Sequence, residues 1–441
     1  MDVSTTFNKF LSNLSVKNAS DISTKYRTIT KILNRKYWGN DSETYNSLQV
    51  GSYGRGTAIN GISDLDMLFE LPDSVYKRFN NHEGNGQSAL LQEIREAIKN
   101  TYSTTDIRGD GQVVVVTFSD YVIEVLPAFP QSDDSYKYPD SSSGGSWKIT
   151  KPRQERDEIN KVNGESNGNL KKLCKMVRAW KNAQGVPMGG LLIDTLCYNF
   201  IQQNTQYKSV EVGSYHYMLR DLFKYLSEQD KAQSYWLAPG SNQQVHRKGN
   251  FVSKAKKAYK KCLLAIDNID KQSVYTTWKQ IFGRPFPSAI QMGEKSFASS
   301  LQSYKDTEEY ICDKYPIDIR YSLSIECEVQ QRGFQTRLLR ELQRLGFPLA
   351  INKQLQFYVT QNDVPEPYQI KWKARNVGDE AMRRDCIRGQ IWSDTGNARR
   401  KESSSFNGAH FVECYVIKNN VCVARDRIDV SISRQEEEEF S

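Results

Sequence analysis

Val3, Phe7, Phe10, Leu11 and Leu14 recur at the spacing that lines one face of a helix, so the chain is expected to open on an amphipathic helix over residues 3–14. A second helix is expected from about Ile22 to Tyr37, with Asp21 available as its N-cap. The glycine-rich GSYGRGT that follows leads into SDLDMLFEL, an alternating, apolar-rich segment that reads as a strand. Leu90, Leu91, Ile94 and Ile98 mark a further helix. QVVVVTF (112–118) and YVIEVLPAF (121–129) read as two strands, and the short link Ser119-Asp120 predicts a hairpin between them. Helices and strands mixed in this order predict an α+β fold, a sheet backed by helices.

The segment from Gln131 to Asn169 is rich in Ser, Asp, Gly, Lys and Pro and is too long for an ordinary connection, so it is expected to be a mobile lid or surface excursion. A strong helix starts near Leu170, with Leu170, Leu173, Cys174 and Val177 on one face and Lys171, Lys175 and Arg178 on another. More helices are expected at 189–203, 216–227 and 252–267, and the two prolines and glycine of TTWKQIFGRPFPSA (276–289) close this region. From about Ile311 the pattern changes to alternation: QLQFYVTQ, YQIKWKARNV and AHFVECYVIKNNVCVARDRIDVSI predict a second, β-rich domain, its last hairpin turning at Asn419-Asn420. The expected division is residues 1–290, a linker over 291–310, the β-rich domain over 311–434 and an acidic tail over 435–441.

Composition narrows the classes. A chain of 441 residues with 38% apolar and 25% charged residues is that of an ordinary globular protein with room for a core in each domain. It contains no apolar run of about 18 residues and no basic, apolar leader, so no membrane partner and a cytoplasmic location are expected. The eight cysteines include no CxxC pair and there are four histidines, which spells neither a zinc module nor a disulfide scaffold; reduced, buried thiols are expected. A net charge of +8 points mildly to anionic partners such as nucleotides or nucleic acid.

Asp64 and Asp66 stand one residue apart on an expected strand, so both carboxylates project from one face. Close like charges repel, and a hard divalent cation that shares its shell with substrate phosphates is the usual remedy. Glu124 lies on the later strand, with Ile123 and Val125 facing the opposite way, and can complete a three-carboxylate cluster. A DxD pair alone is more often two solvated aspartates, and GSYGRG alone is more often a flexible surface turn. The turn, its twelve-residue spacing to the DxD and the later strand acid together predict a nucleotide triphosphate site, in which Gly51, Gly54 and Gly56 let main-chain N–H groups approach a ligand and the Ser52 hydroxyl adds a donor.

These motifs, GSYGRGT, SDLDM and the acid in YVIEVLPAF, resemble the nucleotidyltransferase family that includes cyclic GMP–AMP synthase, oligoadenylate synthase and the bacterial CD-NTases, also called SMODS proteins. The resemblance extends through the Leu170 helix to WKQIFGRPFP, and implies a polymerase-β-like sheet with a helical lobe. The family usually has Asp where Glu124 stands. The stretches YQIKWKARNVGDEAMRRDCIRGQIWSD and ESSSFNGAHFVECYVIKNNVCVARDRIDVSI separately resemble the adenylyl/guanylyl-and-SMODS C-terminal sensor domain, AGS-C.

The resemblance implies a template-independent enzyme that joins ribonucleoside triphosphates into a cyclic oligonucleotide, acting in bacterial antiphage signalling with a downstream effector that senses the product. Asp64, Asp66 and Glu124 would hold magnesium, or manganese in its place; Gly51 and Ser52 would hold the phosphates; Lys175 and Arg178 match the basic helix that reaches the triphosphate tail. Lys175 and Arg178 are equally a solvated helix face. Trp147 is a candidate for base stacking, with an anchoring role as its alternative, and Trp372, Arg388 and His410 are candidate contacts for an unidentified ligand of the C-terminal domain. The alternatives are transfer of nucleotides to RNA ends or to a macromolecule, and a nucleotide-binding module that has lost its activity. Activation by nucleic acid stays open, although no zinc thumb like that of the animal DNA sensor is present.

Overall fold

The structure, a computed structural model, describes the chain except residues 62–63, 120, 294–307, 331–334, 348, 350, 352, 378–380, 382, 384–386, 405–407 and 433–441. It divides into two compact units, Met1–Trp180 with Met188–Pro287, and Lys181–Pro187 with Ser288–Ser441.

The first unit starts with helices α1 (Val3–Asn13) and α2 (Ala19–Tyr37). Helix α1 is capped by Asp2, whose carboxylate accepts from the Thr5 N–H at 2.9 Å. Helix α2 begins three residues earlier than its apolar pattern suggested, so Asp21 lies inside the first turn instead of capping it; there its carboxylate accepts from Tyr121 Oη at 2.6 Å. Strand β1 (Ser47–Gln49), the short helix α3 (Gly51–Gly54) and β2 (Asp64–Glu70) follow, then α4 (Asp73–Asn80), α5 (Gly86–Lys99), β3 (Asp106–Asp110), β4 (Val113–Thr117) and β5 (Val122–Pro130). The strands lie in the order β1-β2-β5-β4-β3. Strands β4 and β5 form the expected hairpin, although Asp120 itself lies outside the described residues. All these pairs are antiparallel except β2 with β5, which run parallel, so chain segments far apart in sequence end side by side. Leu65, Met67, Ile123 and Val125 are fully buried beneath the sheet against Ile22, Ile29 and Leu33 of α2 and Leu90, Ile94 and Ile98 of α5.

Residues 131–169 are not an irregular excursion. They form β6 (Tyr136–Asp140) and β7 (Ser146–Thr150), which continue the sheet from β5, and helix α6 (Pro152–Glu165). Their polar sequence reflects one-sided burial rather than a lack of structure: Tyr136 and Ile159 face inward, while Trp147, Lys148 and Ile149 remain partly or well exposed. Helices α7 (Asn169–Gln184), α8 (Gly190–Gln203) and α9 (Tyr215–Ser227) come next, then a small hairpin of β8 (Tyr235–Leu237) and β9 (Gln244–His246), and α10 (Val252–Asp267) and α11 (Ser273–Phe282). An aromatic cluster of Phe7, Phe10, Tyr215, Trp278, Phe282 and Phe286 ties α1 to α9 and α11.

In the second unit, after α12 (Ile311–Lys314), come β10 (Leu323–Gln330), β11 (Arg337–Leu338), helix α13 (Leu339–Arg344) and β12 (Gln354–Asn362). Strands β13 (Gln369–Asn376), β14 (Ile391–Ser393), β15 (Arg399–Ser403), β16 (Ala409–Lys418) and β17 (Val421–Ser431) complete two four-stranded sheets, β11-β10-β12-β15 and β14-β13-β16-β17. Ile325, Cys327 and Phe357 of the first share a core with Trp372, Val412, Cys414 and Val430 of the second. Strands β16 and β17 turn at Asn419 and Asn420, whose φ values of 48° and 63° are those of the two-residue turn that asparagine tolerates best. No described helix is long and apolar enough to cross a membrane. Cys174, Cys197, Cys262, Cys327, Cys414 and Cys422 are buried free thiols, Cys312 is an exposed one, and Cys386 lies outside the described residues.

Candidate active site

Strand β2 places Asp64 and Asp66 on the same face because side chains alternate along it, while Leu65 and Met67 enter the core. The parallel pairing sets Glu124 of β5 directly opposite Asp66, and Ile123 and Val125 turn inward on either side of it. One carboxylate oxygen from each of Asp64, Asp66 and Glu124 lies within 4.8 Å of the others, and all three side chains are half-buried. Among the described residues this is the one group of acids, histidines or cysteines spaced to hold a metal. Three hard carboxylate oxygens with no sulfur or imidazole suit magnesium or manganese, so the donors present fit the ion that the sequence implied. Glu in place of Asp at position 124 still brings its oxygen into the cluster.

The glycine turn stands against this cluster. Val50 donates its backbone N–H to the Asp66 carbonyl at 3.0 Å, which pins the turn to β2. Gly51 has φ +61°, and a Cβ on it would fall inside the Asp66 carboxylate, so the main chain meets the acid where no side chain fits. Ser52 lies in α3 in the same turn, its carbonyl accepting from Thr57 N–H at 2.9 Å and Ala58 N–H at 3.1 Å. Gly51, Asp64, Asp66 and Glu124 are therefore brought together from three separate segments, with Ser52 next to Gly51 in the turn.

The basic helix divides differently from the sequence expectation. Lys175 is half-buried, and no ion pair to it occurs among the described residues; burial, followed by the positive charges of Lys171 and Arg178, holds its pKa below the ordinary lysine value. Lys171, which sequence reasoning left among the helix-face residues, stands at the turn: a Cβ on Gly56 would lie 3.1 Å from its Nζ. That Nζ donates to Asn160 Oδ1 at 2.6 Å, and burial lowers its pKa as well. The signal that could have found it was its spacing, one helical turn before Lys175. Arg178 is not available to a ligand in the same way. It is 5% exposed, and its guanidinium donates to Asp194 at 2.6 and 3.0 Å and to the Gly190 carbonyl at 3.0 Å. Its acidic partner comes from α8, which the helix pattern alone did not disclose.

Of the other singled-out residues, Trp147, Trp372 and His410 are held in packing, whereas Arg388 is exposed. Trp147 sets its ring edge-on to Phe129 and Tyr76 and donates Nε1–H to Asn80 at 3.1 Å. Trp372 is fully buried and donates to Asp394 at 2.8 Å. Arg388, at φ +46°, pairs with Glu402 at 2.9 Å, and His410 is buried on β16 with burial pushing its pKa down to about 4.

Residues 1–163 match the family model described as the Second Messenger Oligonucleotide or Dinucleotide Synthetase domain, SMODS, and residues 305–433 match the Adenylyl/Guanylyl and SMODS C-terminal sensor domain, AGS_C. No curated protein matches the chain. Among solved structures, the CdnC:HORMA-deltaN complex of E. coli MS115-1 is 14% identical, covers 65% of this chain and 98% of that one, and superposes with a TM-score of 0.50. The CD-NTase CdnG of Bradyrhizobium diazoefficiens in complex with GTP is 9% identical, covers 66% and 97%, and has a TM-score of 0.49. The 3'-deoxy GTP bound form of Escherichia coli DncV is 15% identical, covers 56% and 70%, and has a TM-score of 0.42. At such identities the likeness to CdnC is one of fold.

Proposed function

We propose that this chain, which carries a SMODS nucleotidyltransferase domain and an AGS-C domain, joins ribonucleoside triphosphates into a cyclic oligonucleotide second messenger with release of pyrophosphate. The observation that carries the reading is the trio Asp64, Asp66 and Glu124, with oxygens within 4.8 Å of one another beneath the Gly51 turn. Three carboxylates this close repel one another, and a shared divalent cation relieves that repulsion.

The three carboxylates would hold magnesium or manganese, and when bound the ion supplies an acidified ribose hydroxyl and a neutralised leaving group. The chain's own residues do the rest. The main chain of the turn and the Ser52 hydroxyl orient the phosphates for in-line attack, so much of the rate gain comes from positioning. Lys171 and Lys175 crowd each other in a half-buried place, and a triphosphate tail relieves that crowding while compensating both charges. Bringing the anion against desolvated ammonium groups strengthens each contact.

The wider role is signalling in the cytoplasm of a bacterial cell as part of antiphage defence of the CBASS type. The AGS-C domain detects a ligand and an effector reads the cyclic product. The relative CdnC, named as a complex with HORMA-deltaN, supports a protein partner.

The test is incubation of pure protein with all four labelled ribonucleoside triphosphates and magnesium. A small phosphatase-resistant product is expected; label retained on added RNA or protein would place the acceptor elsewhere. Asp64→Ala with Asp66→Ala should abolish turnover and preserve the fold by circular dichroism. Undiminished product from that variant would refute the site.

A further inference from the structure

The glycine turn and the basic helix are joined by a buried carboxylate. Arg55 follows Gly54, is 6% exposed, and donates Nε–H to Asp194 Oδ2 at 2.8 Å. Thr57 donates its hydroxyl to the same oxygen at 3.1 Å. These two residues bracket Gly56, the position that faces the Lys171 ammonium. From the other side Arg178 donates to both oxygens of Asp194. Asp194 is wholly buried, and one carboxylate thus accepts two hydrogen bonds from the end of the turn and two from α7, the helix that carries Lys171 and Lys175. Glu155 of α6 stands 3.7 Å from Arg55 Nη1 and balances the second guanidinium. The four groups sum to zero charge when both acids are ionised.

Such a set is a poor device for stability alone, because apolar residues of equal volume commonly do as well. What it supplies is direction: guanidinium and carboxylate meet in a fixed planar geometry that an apolar contact does not impose. We propose that Asp194 is a positioning residue for triphosphate binding, fixing the glycine turn at a set distance and orientation from the Lys171–Lys175 pair. The proposal rests on the nucleotidyltransferase reading above. The turn contributes main-chain donors and the helix contributes ammonium groups, and the two come from segments more than a hundred residues apart. A phosphate chain can engage both only if their separation is held. Arg55 and Thr57 hold the turn to Asp194, and Arg178 holds the helix to it.

Arg55→Met is the informative variant, because it leaves Asp194 still bonded to Arg178 and Thr57 while cutting the charged tether to the turn. Magnesium-dependent pyrophosphate release gives kcat and KM for ATP and GTP, titration calorimetry gives Kd for a non-hydrolysable ATP analogue with magnesium, and thermal melting reports the fold. The expected result is a rise of at least about tenfold in KM and Kd, with kcat changed less than about threefold. Arg55→Lys, which keeps the charge, should recover most of the lost affinity. Asp194→Asn should raise KM and Kd at least as far and also lower Tm. A purely structural role would lower Tm and the active fraction, hence kcat, with KM and Kd unmoved, and that result overturns the proposal. Wild-type protein that neither binds triphosphate nor releases pyrophosphate would instead refute the nucleotidyltransferase reading, and the positioning role with it.

Discussion

Replacing Gly51 by alanine probes the contact between turn and metal-binding acid directly. The residue has φ +61°, a region in which an L side chain costs about 1–2 kcal/mol. Its new methyl group would also fall inside the Asp66 carboxylate, which must withdraw by about 2 Å to reach ordinary van der Waals separation. A displacement of even about 1 Å at a reacting centre lowers rates about a hundredfold. We therefore expect Gly51→Ala to lose at least about a hundredfold in kcat/KM, or about 2.7 kcal/mol of transition-state stabilisation. The backbone strain alone should lower Tm by a few degrees, at about 2–4 °C per kcal/mol. Gly39→Ala separates the two effects, since Gly39 has φ +64° and nothing within 4 Å of its would-be side chain. It should show a similar loss of Tm with activity intact. Pyrophosphate release and differential scanning fluorimetry on both variants make the comparison. If their kcat/KM values agree within about threefold, the turn does not press on Asp66 and the account of the site is wrong.

Lys171→Met should raise the Kd for a magnesium triphosphate by about tenfold or more while Tm holds or rises, because a half-buried ammonium of lowered pKa is replaced by an apolar chain. Equilibrium dialysis with labelled ATP checks it, and an unchanged Kd would remove Lys171 from the site. His410, with a folded pKa of about 4 against 6.5 unfolded, resists protonation in the native state. Its depressed pKa therefore leaves stability intact above about pH 6.5 and subtracts up to about 3 kcal/mol as pH falls toward 4. Urea unfolding followed by a signal from the second unit should show that loss, and His410→Gln should flatten it; equal pH slopes would contradict the burial argument. Asn420→Val should destabilise the second unit by about 1–2 kcal/mol through the left-handed turn, while Asn420→Gly should leave it within about 0.5 kcal/mol, both read by urea denaturation.

Local chemistry determined much of this protein. The spacing of Phe7, Phe10, Leu90, Leu91, Ile94 and Ile98 marks helices because burial of one face repeats with the helical turn, and alternation in SDLDM puts both aspartates on one side because strand side chains alternate. The Asn419-Asn420 turn was legible for the same reason, a conformational demand met by two neighbouring residues. The strands and helix within 131–169 were not, because a polar segment covered on one side carries too weak a period to read. Only the tertiary structure decided which charges meet. Parallel pairing of β2 with β5 sets Glu124 opposite Asp66, the turn brings Gly56 to Lys171, and Asp194 takes Arg178 into the interior. Those partners are distant in sequence, and the strength of a charge interaction depends on separation and burial in three dimensions, neither of which a one-dimensional pattern contains.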